Sequence, residues 1–364
     1  MSGLLDGLRV LDLSLWQPGQ YATQLLADLG ADVLKVEPPG GDRMRVLPDR
    51  FLNYNAHKRS LVLDLKRSGD RARLFELAKR AEVVVEGYQP GVADRLGVGY
   101  ERLSAVNAAL VYCSISGFGQ TGPLARATGH DFNYQAYAGA FVTPAPGMTP
   151  VASGALLGDQ GSGMTAAFAI LAAVLCARRT GQGEYIDVSM ADLIMSWVAP
   201  MGSVAEANET QAREGGSPGT STYATADGGH VVLGIFSEDH FWDLLCRNLG
   251  LGRHVGLGMA ERAARASELR QALQAEFAKR TRDELIATLD AQGVPIAPVL
   301  SRSEALGHPH YWARGTIARD AGGRRRVGHP IQYRHHPALS PDNHPRSAKT
   351  AAKDSELKTN SPDL

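Results

Sequence analysis

The sequence predicts an α/β fold: a large domain built on a doubly wound, mostly parallel sheet, and a smaller α+β domain after it. Three observations carry this. Compact apolar runs alternate with helical segments through the first half of the chain, as βα units require. A polar, Gly-rich stretch, NETQAREGGSPGTS, then breaks that rhythm. Beyond it, STYATADGGHVVLGIF starts a β-rich pattern followed by helices. With 364 residues the chain can bury a core in each of two domains.

In order, LRVLDLS (Leu8–Ser14) reads as a strand, Gln20–Gly30 as a helix closed by glycine, and Ala31–Glu37 as a second strand. Leu61–Leu65 is a third strand, followed by a helix over Asp70–Arg80. Glu82–Tyr88 and Leu110–Ser116 are further strands, with a short helix near Tyr100–Asn107 between them. Strands spaced by helices imply right-handed crossovers and a sheet covered on both faces. A helix is expected to begin after Gly163 and end at Arg178 and Arg179, with Gly181 as its stop. Gly183–Met190 is another strand and Ala191–Met201 a helix. The large domain therefore spans residues 1–220, with 307–347 returning to it. The small domain spans 221–306, with a hairpin turn at Asp227-Gly228-Gly229. Helices are expected at Glu238–Leu249, Ala266–Arg280 and Arg282–Gln292, the last capped by Thr281 and Glu284. The polar tail, 348–364, is expected to be disordered.

Composition removes several function classes. Lysine plus arginine (38) balances aspartate plus glutamate (38), so there is no charge footprint for nucleic acid or an anionic membrane. Cys113, Cys176 and Cys246 sit in apolar runs and read as reduced core residues of a cytoplasmic protein. The N-terminus carries no signal-peptide pattern, and the helix after Asp159 falls short of the roughly 20 apolar residues of a membrane span. His335 and His336 lack the Cys or carboxylate partners of a metal site, so no metal is expected. The first strand-to-helix turn, SLWQPGQYA, has one glycine and no GxGxxG, against a dinucleotide site. There is no phosphate-loop motif and no GxSxG nucleophile elbow.

The stretch Gly129–Arg179 concentrates the candidate chemistry. It opens GHDFNYQAYAG and reaches GDQGSG ahead of the apolar helix. Asp159 would lie by the positive end of that helix, where a carboxylate is stabilised and free N–H groups can hold an oxyanion. On spacing alone it is equally an N-terminal cap. His130 is either a catalyst or a hydrogen-bonded structural histidine.

GADVLKVEPPGGDRMR, KRSLVLDLK, VVVEGYQPGVADRLG, GFGQTGP, GHDFNY, GDQGSG and YATADGGHVVLG occur in this order. The set resembles the family that unites class III coenzyme A transferases with α-methylacyl-CoA racemases, over roughly Leu8 to Pro309. The resemblance implies an interlocked homodimer and coenzyme A (CoA) bound along the strand ends of the large domain. It implies an acyl-CoA substrate, with no cofactor beyond the CoA that the substrate carries.

For the racemases, the resemblance falls on His130, Asp159 and Glu238. Inverting an α-carbon requires taking its proton from one face and returning one to the other, so two acid/base groups must flank it. His130 and Asp159 suit that task, and Glu238 would orient the imidazole, unless it merely caps the following helix. For the transferases, Asp159 would instead be a nucleophile forming an anhydride and then a thioester. Gln17 resembles a transferase glutamine, whereas GGSPGTSTY and the chain length are closer to the racemases. The racemase reading comes first, the transferase second and a catalytically silent CoA-binding protein third. For CoA, the resemblance points to Leu63, Asp64, Leu65, Lys66, Gly87, Tyr88, Gln89, Arg95, Gly129, Asp131, Asn133 and Tyr134. Lys66 and Arg95 are the expected phosphate partners. Gln89 stands where relatives often have arginine, a loss that Arg43 or Arg45 could offset.

Overall fold

The computed structural model describes residues 3–143, 147–201 and 217–339. The chain divides into two compact units: Met1–Val142, Ala152–Ala199 and Pro309–Leu364 form one, and Thr143–Val151 with Pro200–His308 the other. The tail at 348–364 and most of the Gly-rich stretch lie outside the described residues.

The first unit holds a six-stranded sheet whose strands are all parallel. They are β1 (Arg9–Asp12), β2 (Asp32–Glu37), β3 (Arg59–Val62), β4 (Val83–Glu86), β5 (Val111–Ser116) and β6 (Tyr185–Ser189), in the spatial order β3-β2-β1-β4-β5-β6. The order reverses between β1 and β4, and ligands of such sheets bind outside the carboxyl ends of the strands at that switch point. Successive strand residues serve opposite faces, as the pleat dictates. On one face Val10, Val83, Val85, Val111 and Cys113 pack against helices α1 (Gln17–Asp28) and α7 (Leu157–Thr180). On the other, Leu11, Val84 and Tyr112 pack with Leu74, Ala93 and Leu103, from α3 (Ser68–Ala78), α4 (Val92–Leu96) and α5 (Tyr100–Ser104). A two-residue-wide apolar run therefore becomes a central strand because both of its faces are dry.

Several expectations need correction. β3 lies at Arg59–Val62, so Leu63–Lys66 form the turn beyond the strand. A helix, α2 (Pro48–Asn55), stands between β2 and β3, where no helix was expected. The long helix starts at Leu157, so Asp159 sits inside its first turn and Gly161 and Gly163 are helical. Those glycines survive in the helix because the packing leaves no room for a side chain. A Cβ on Gly163 would stand 2.7 Å from the Pro18 carbonyl oxygen, and one on Gly161 2.4 Å from the Trp197 ring. At 24 residues, α7 has the length and apolar composition to cross a membrane, contrary to expectation, although the core helix of a soluble protein passes the same test. One flank is buried through Ala166, Ile170, Val174 and Ala177, while Met164, Phe168 (74 % exposed) and Leu175 (69 %) form an outward apolar stripe. Cys176 is exposed, whereas Cys113 and Cys246 are buried. Arg326, on the small hairpin β10–β11 (Ile317–Arg319 and Arg325–Val327), is buried and pairs with Asp320 at 3.0 Å.

The second unit has an antiparallel sheet of β7 (Thr222–Ala224), β8 (His230–Leu233) and β9 (Ile296–Pro298). Its hairpin turns where Gly228 takes a positive φ, with Thr225 N–H donating to the Gly229 carbonyl. Trp242, Leu245, Leu269, Leu273, Phe277, Leu285 and Leu289 fill its core. Thr281 and Glu284 exchange the reciprocal hydrogen bonds of a capping box.

Candidate active site

The GHDFNY motif separates into a scaffold and one projecting group. Helix α6 (Asp131–Tyr137) begins immediately after His130. Asn133 Oδ1 accepts from the His130 N–H at 2.9 Å, and the Tyr134 hydroxyl donates to the Gly129 carbonyl at 2.5 Å. A Cβ on Gly129 would lie 2.9 Å from the Tyr134 ring, so only glycine permits this turn. Tyr134 packs edge-on against Phe118 at 5.1 Å between centroids. Asp131 is buried, and its Oδ2 accepts from the Asp159 N–H at 2.8 Å while Oδ1 accepts from Gln135. Asp131 therefore ties α6 to the N-terminus of α7 and satisfies one of the donors that a helix leaves unpaired. His130 is left pointing outward, its ring 6.2 Å from the exposed Trp16 in an edge arrangement.

Asp159 is the perturbed group. Burial, followed by repulsion from Asp131, raises its carboxyl to about 6, against the pull of Arg50 and His130. Its carboxylate accepts no hydrogen bond among the described residues. Desolvation outweighs the pull of these neighbours, the pattern of a site that holds a proton in reserve. The coupling to His130 also brings that imidazole into the electrostatic neighbourhood of Asp159.

Four further side chains converge here. Gln17 opens α1 at the carboxyl end of β1 and is 3 % exposed. Arg50, on α2, donates to Gln17 Oε1. Gln160 Nε2 donates to the Tyr54 hydroxyl at 2.6 Å, and burial raises the Tyr54 pKa. The Gln17 amide nitrogen is buried without an acceptor among the described residues. An unmet donor of that kind costs about 1–3 kcal/mol, so it calls for a ligand or water. Gln17 was singled out by resemblance. Arg50 and Tyr54 were missed, and only their residue types in a polar stretch could have drawn attention to them.

The other candidates are distributed as follows. Leu63 and Leu65 are buried and belong to the second core face. The Asp64 N–H donates to Asp70, and Asp64 Oδ1 accepts from the Lys66 N–H at 3.1 Å. Lys66 and Arg95 are exposed and form no ion pair among the described residues. Gly87, Tyr88 and Gln89 follow β4, where the Tyr88 N–H donates to Glu86 at 2.6 Å. Burial pushes Glu86 up to about 7. Gln89 and Glu86 line an open cleft with Asp94, Tyr100 and Gln120. Arg45 is committed elsewhere: it chelates Glu37 through Nε at 2.7 Å and Nη2 at 2.5 Å, so only Arg43 remains to offset Gln89. Glu238 belongs to the second unit, immediately ahead of helix α9 (Asp239–Asn248), and accepts from the Phe236 N–H at 2.9 Å.

The chain resembles characterised proteins along most of its length. It is 34% identical to an acetyl-CoA:oxalate CoA-transferase of Acetobacter aceti, covering 91% of this chain and 89% of that protein. It is 35% identical to the human α-methylacyl-CoA racemase, covering 86% and 82% respectively. The crystal structure of a CAIB/BAIF family protein from Brucella suis superposes with a TM-score of 0.82 at 30% identity, covering 98% of this chain and all of that one. The pattern of CoA-transferase family III matches residues 5–349, and on these grounds the chain belongs to that family.

Proposed function

We propose that the protein is an acyl-CoA racemase or epimerase that inverts the α-carbon of a 2-methylacyl-CoA by two-base proton transfer. The observation that carries this reading is a carboxyl, Asp159, whose pKa of about 6 puts it near working pH, electrostatically coupled to the imidazole of His130. An acid/base group is most effective when its pKa lies near the operating pH. In this reading the thioester lies over the switch point, and N–H groups at the start of α7 steady the enolate oxygen. Lys66 and Arg95, uncommitted and exposed, take CoA phosphates beside the turns at Leu63–Lys66 and Gly87–Gln89. A homodimer belongs to the same reading, supported by the stripe of Met164, Phe168 and Leu175. Sedimentation should give twice the mass of 38.9 kDa, and a monomer would remove that part.

Incubation with a 2-methylacyl-CoA in deuterium oxide tests the reaction. Deuterium should enter at the α-carbon, and His130→Ala should abolish the uptake. A second reading, transfer of CoA between carboxylic acids through an Asp159 acyl-enzyme, is favoured by Gln17 and Arg50 converging on Asp159. It predicts no uptake and a hydroxylamine-sensitive acyl adduct on Asp159. Binding of CoA with neither outcome points to a catalytically silent protein.

A further inference from the structure

We propose that the amide oxygens of Gln24 and Asn53, with the carboxylate of Asp28, form a buried site for one alkali-metal ion between α1, α2 and the β10–β11 hairpin. It lies at the C-terminal end of α1, whereas Gln17 opens that helix at the candidate active site. The site does not depend on which reaction runs at Asp159.

Two buried oxygens lack partners. Gln24 is 5 % exposed, and its Nε2 donates to Asp28 Oδ1 across one turn of α1. An ionised carboxylate only accepts, so this contact fixes the orientation of the amide. Gln24 Oε1 is left buried without a donor among the described residues, and so is Asn53 Oδ1 on α2. Both residues line one cavity of about 20 Å³, room for a single water-sized body. Orphaned buried acceptors are rare, and two on the wall of one small cavity call for a shared occupant.

The rest of the wall decides what kind of occupant. His57 Nδ1 donates to Asp28 Oδ1 at 2.9 Å. Arg326 spends its three guanidinium nitrogens on Asp320 Oδ2 and the Asp49 carbonyl. The side-chain donors of Gln24, His57 and Arg326 are thus committed, while oxygens remain. A water needs donors for its own lone pairs, whereas a cation needs acceptors only. Asp320 offsets Arg326, and with His57 neutral the Asp28 carboxylate keeps one negative charge for a monovalent ion to balance.

The donor set also selects among cations. No three His, Cys, Asp or Glu side chains gather as metal ligands among the described residues, which sets zinc and its neighbours aside. Magnesium demands octahedral geometry and dehydrates reluctantly. Carbonyl-type oxygens can replace the hydration shell of an alkali ion. An ion here joins α1 to α2, the helix that carries Arg50 and Tyr54. The Leu339 N–H, donating to the Asp28 carbonyl at 2.7 Å, ties the C-terminal arm to the same end of α1.

Thermal melts of the full chain in potassium, sodium and tetramethylammonium chloride at matched ionic strength test this, since tetramethylammonium is too large for the cavity. An alkali ion at about ten times its dissociation constant should raise the midpoint by roughly 3–6 °C over tetramethylammonium. Asn53→Leu removes one oxygen and should remove that difference. Equal midpoints in the three salts would overturn the site. So would a difference that survives unchanged in Asn53→Leu, which marks a general salt effect. If Asn53→Leu does not fold, crystals of the wild-type protein grown in a rubidium salt decide the matter. An anomalous peak within coordination distance of Gln24 Oε1 and Asn53 Oδ1 supports the site. No peak there, whether a water takes the place or the Asn53 amide turns to donate to Gln24, overturns it.

Discussion

Asp159→Asn is expected to stop turnover while making the fold more stable. Losing a positioned acid/base group costs about 10²- to 10⁴-fold in rate. The stability gain follows from the position of the carboxyl. Its pKa is raised from 3.8 to about 6, because burial and Asp131 disfavour the charge. Between those values the folded state binds more protons than the unfolded one, so stability falls as pH rises. The cost is absent below about pH 4 and complete above about pH 6, where roughly two pH units correspond to about 3 kcal/mol. Asparagine removes that cost, and it breaks no hydrogen bond of the carboxylate among the described residues. It also forfeits the attraction of a carboxylate to the N-terminus of α7, worth about 1 kcal/mol at most sites. Desolvation wins, leaving a net gain of roughly 2 kcal/mol at pH 8. Denaturant melts of the two proteins across pH should diverge above pH 6 and converge below pH 4. A variant that is less stable at pH 8, or equally displaced at every pH, would show that Asp159 is not held in an unfavourable charge state.

The fold was legible because its central strands are dry on both faces. LRVLD and VVVE are apolar without alternation, which marks central strands between helix layers. Helix limits were harder to read. Gly161 and Gly163 look like helix breakers in the sequence, and only their contacts with Trp197 and Pro18 explain why they are helical. In the site, His130 and Asp159 could be picked out because motif neighbours accompany them. The structure then gives those neighbours work to do: Asp131 anchors α7, while Asn133 and Tyr134 shape the turn. Arg50 and Tyr54 could not be found, because their meeting with Gln17 and Gln160 is tertiary. Sequence spacing carries no information about a contact across 33 residues between two polar side chains.

Lys58→Met is expected to cost about 3–5 kcal/mol, the usual penalty for stranding one member of a buried ion pair. Lys58 Nζ donates to Asp12 Oδ2 at 3.0 Å, Thr23 Oγ1 at 2.8 Å, the Gln20 carbonyl at 2.8 Å and Asn55 Oδ1 at 3.1 Å. Lys35 pairs with Asp42 at 2.9 Å, Gln20 Nε2 donates to Asp42 at 2.7 Å, and Asn55 Nδ2 donates to Gln20 at 2.8 Å. All these side chains are buried. The network joins β1, α1 and β2 to α2, the helix that carries Arg50 and Tyr54. Burial alone would raise Asp12, but Lys58, Lys35, Ser14 and Thr23 hold it at about 2. Its contribution is therefore complete above about pH 4 and lost as pH falls toward 2. With Lys58 gone, Asp12 is buried beside fewer cations and takes up a proton more readily. The deficit of Lys58→Met should then be largest at neutral pH, with a melting temperature lower by on the order of 10 °C, and should shrink toward pH 3. Asp12→Leu combined with Lys58→Met should cost less than the sum of the two single changes, since each single change strands a charge that the double change removes. Additive losses, or a deficit independent of pH, would mean that the charges contribute only through packing.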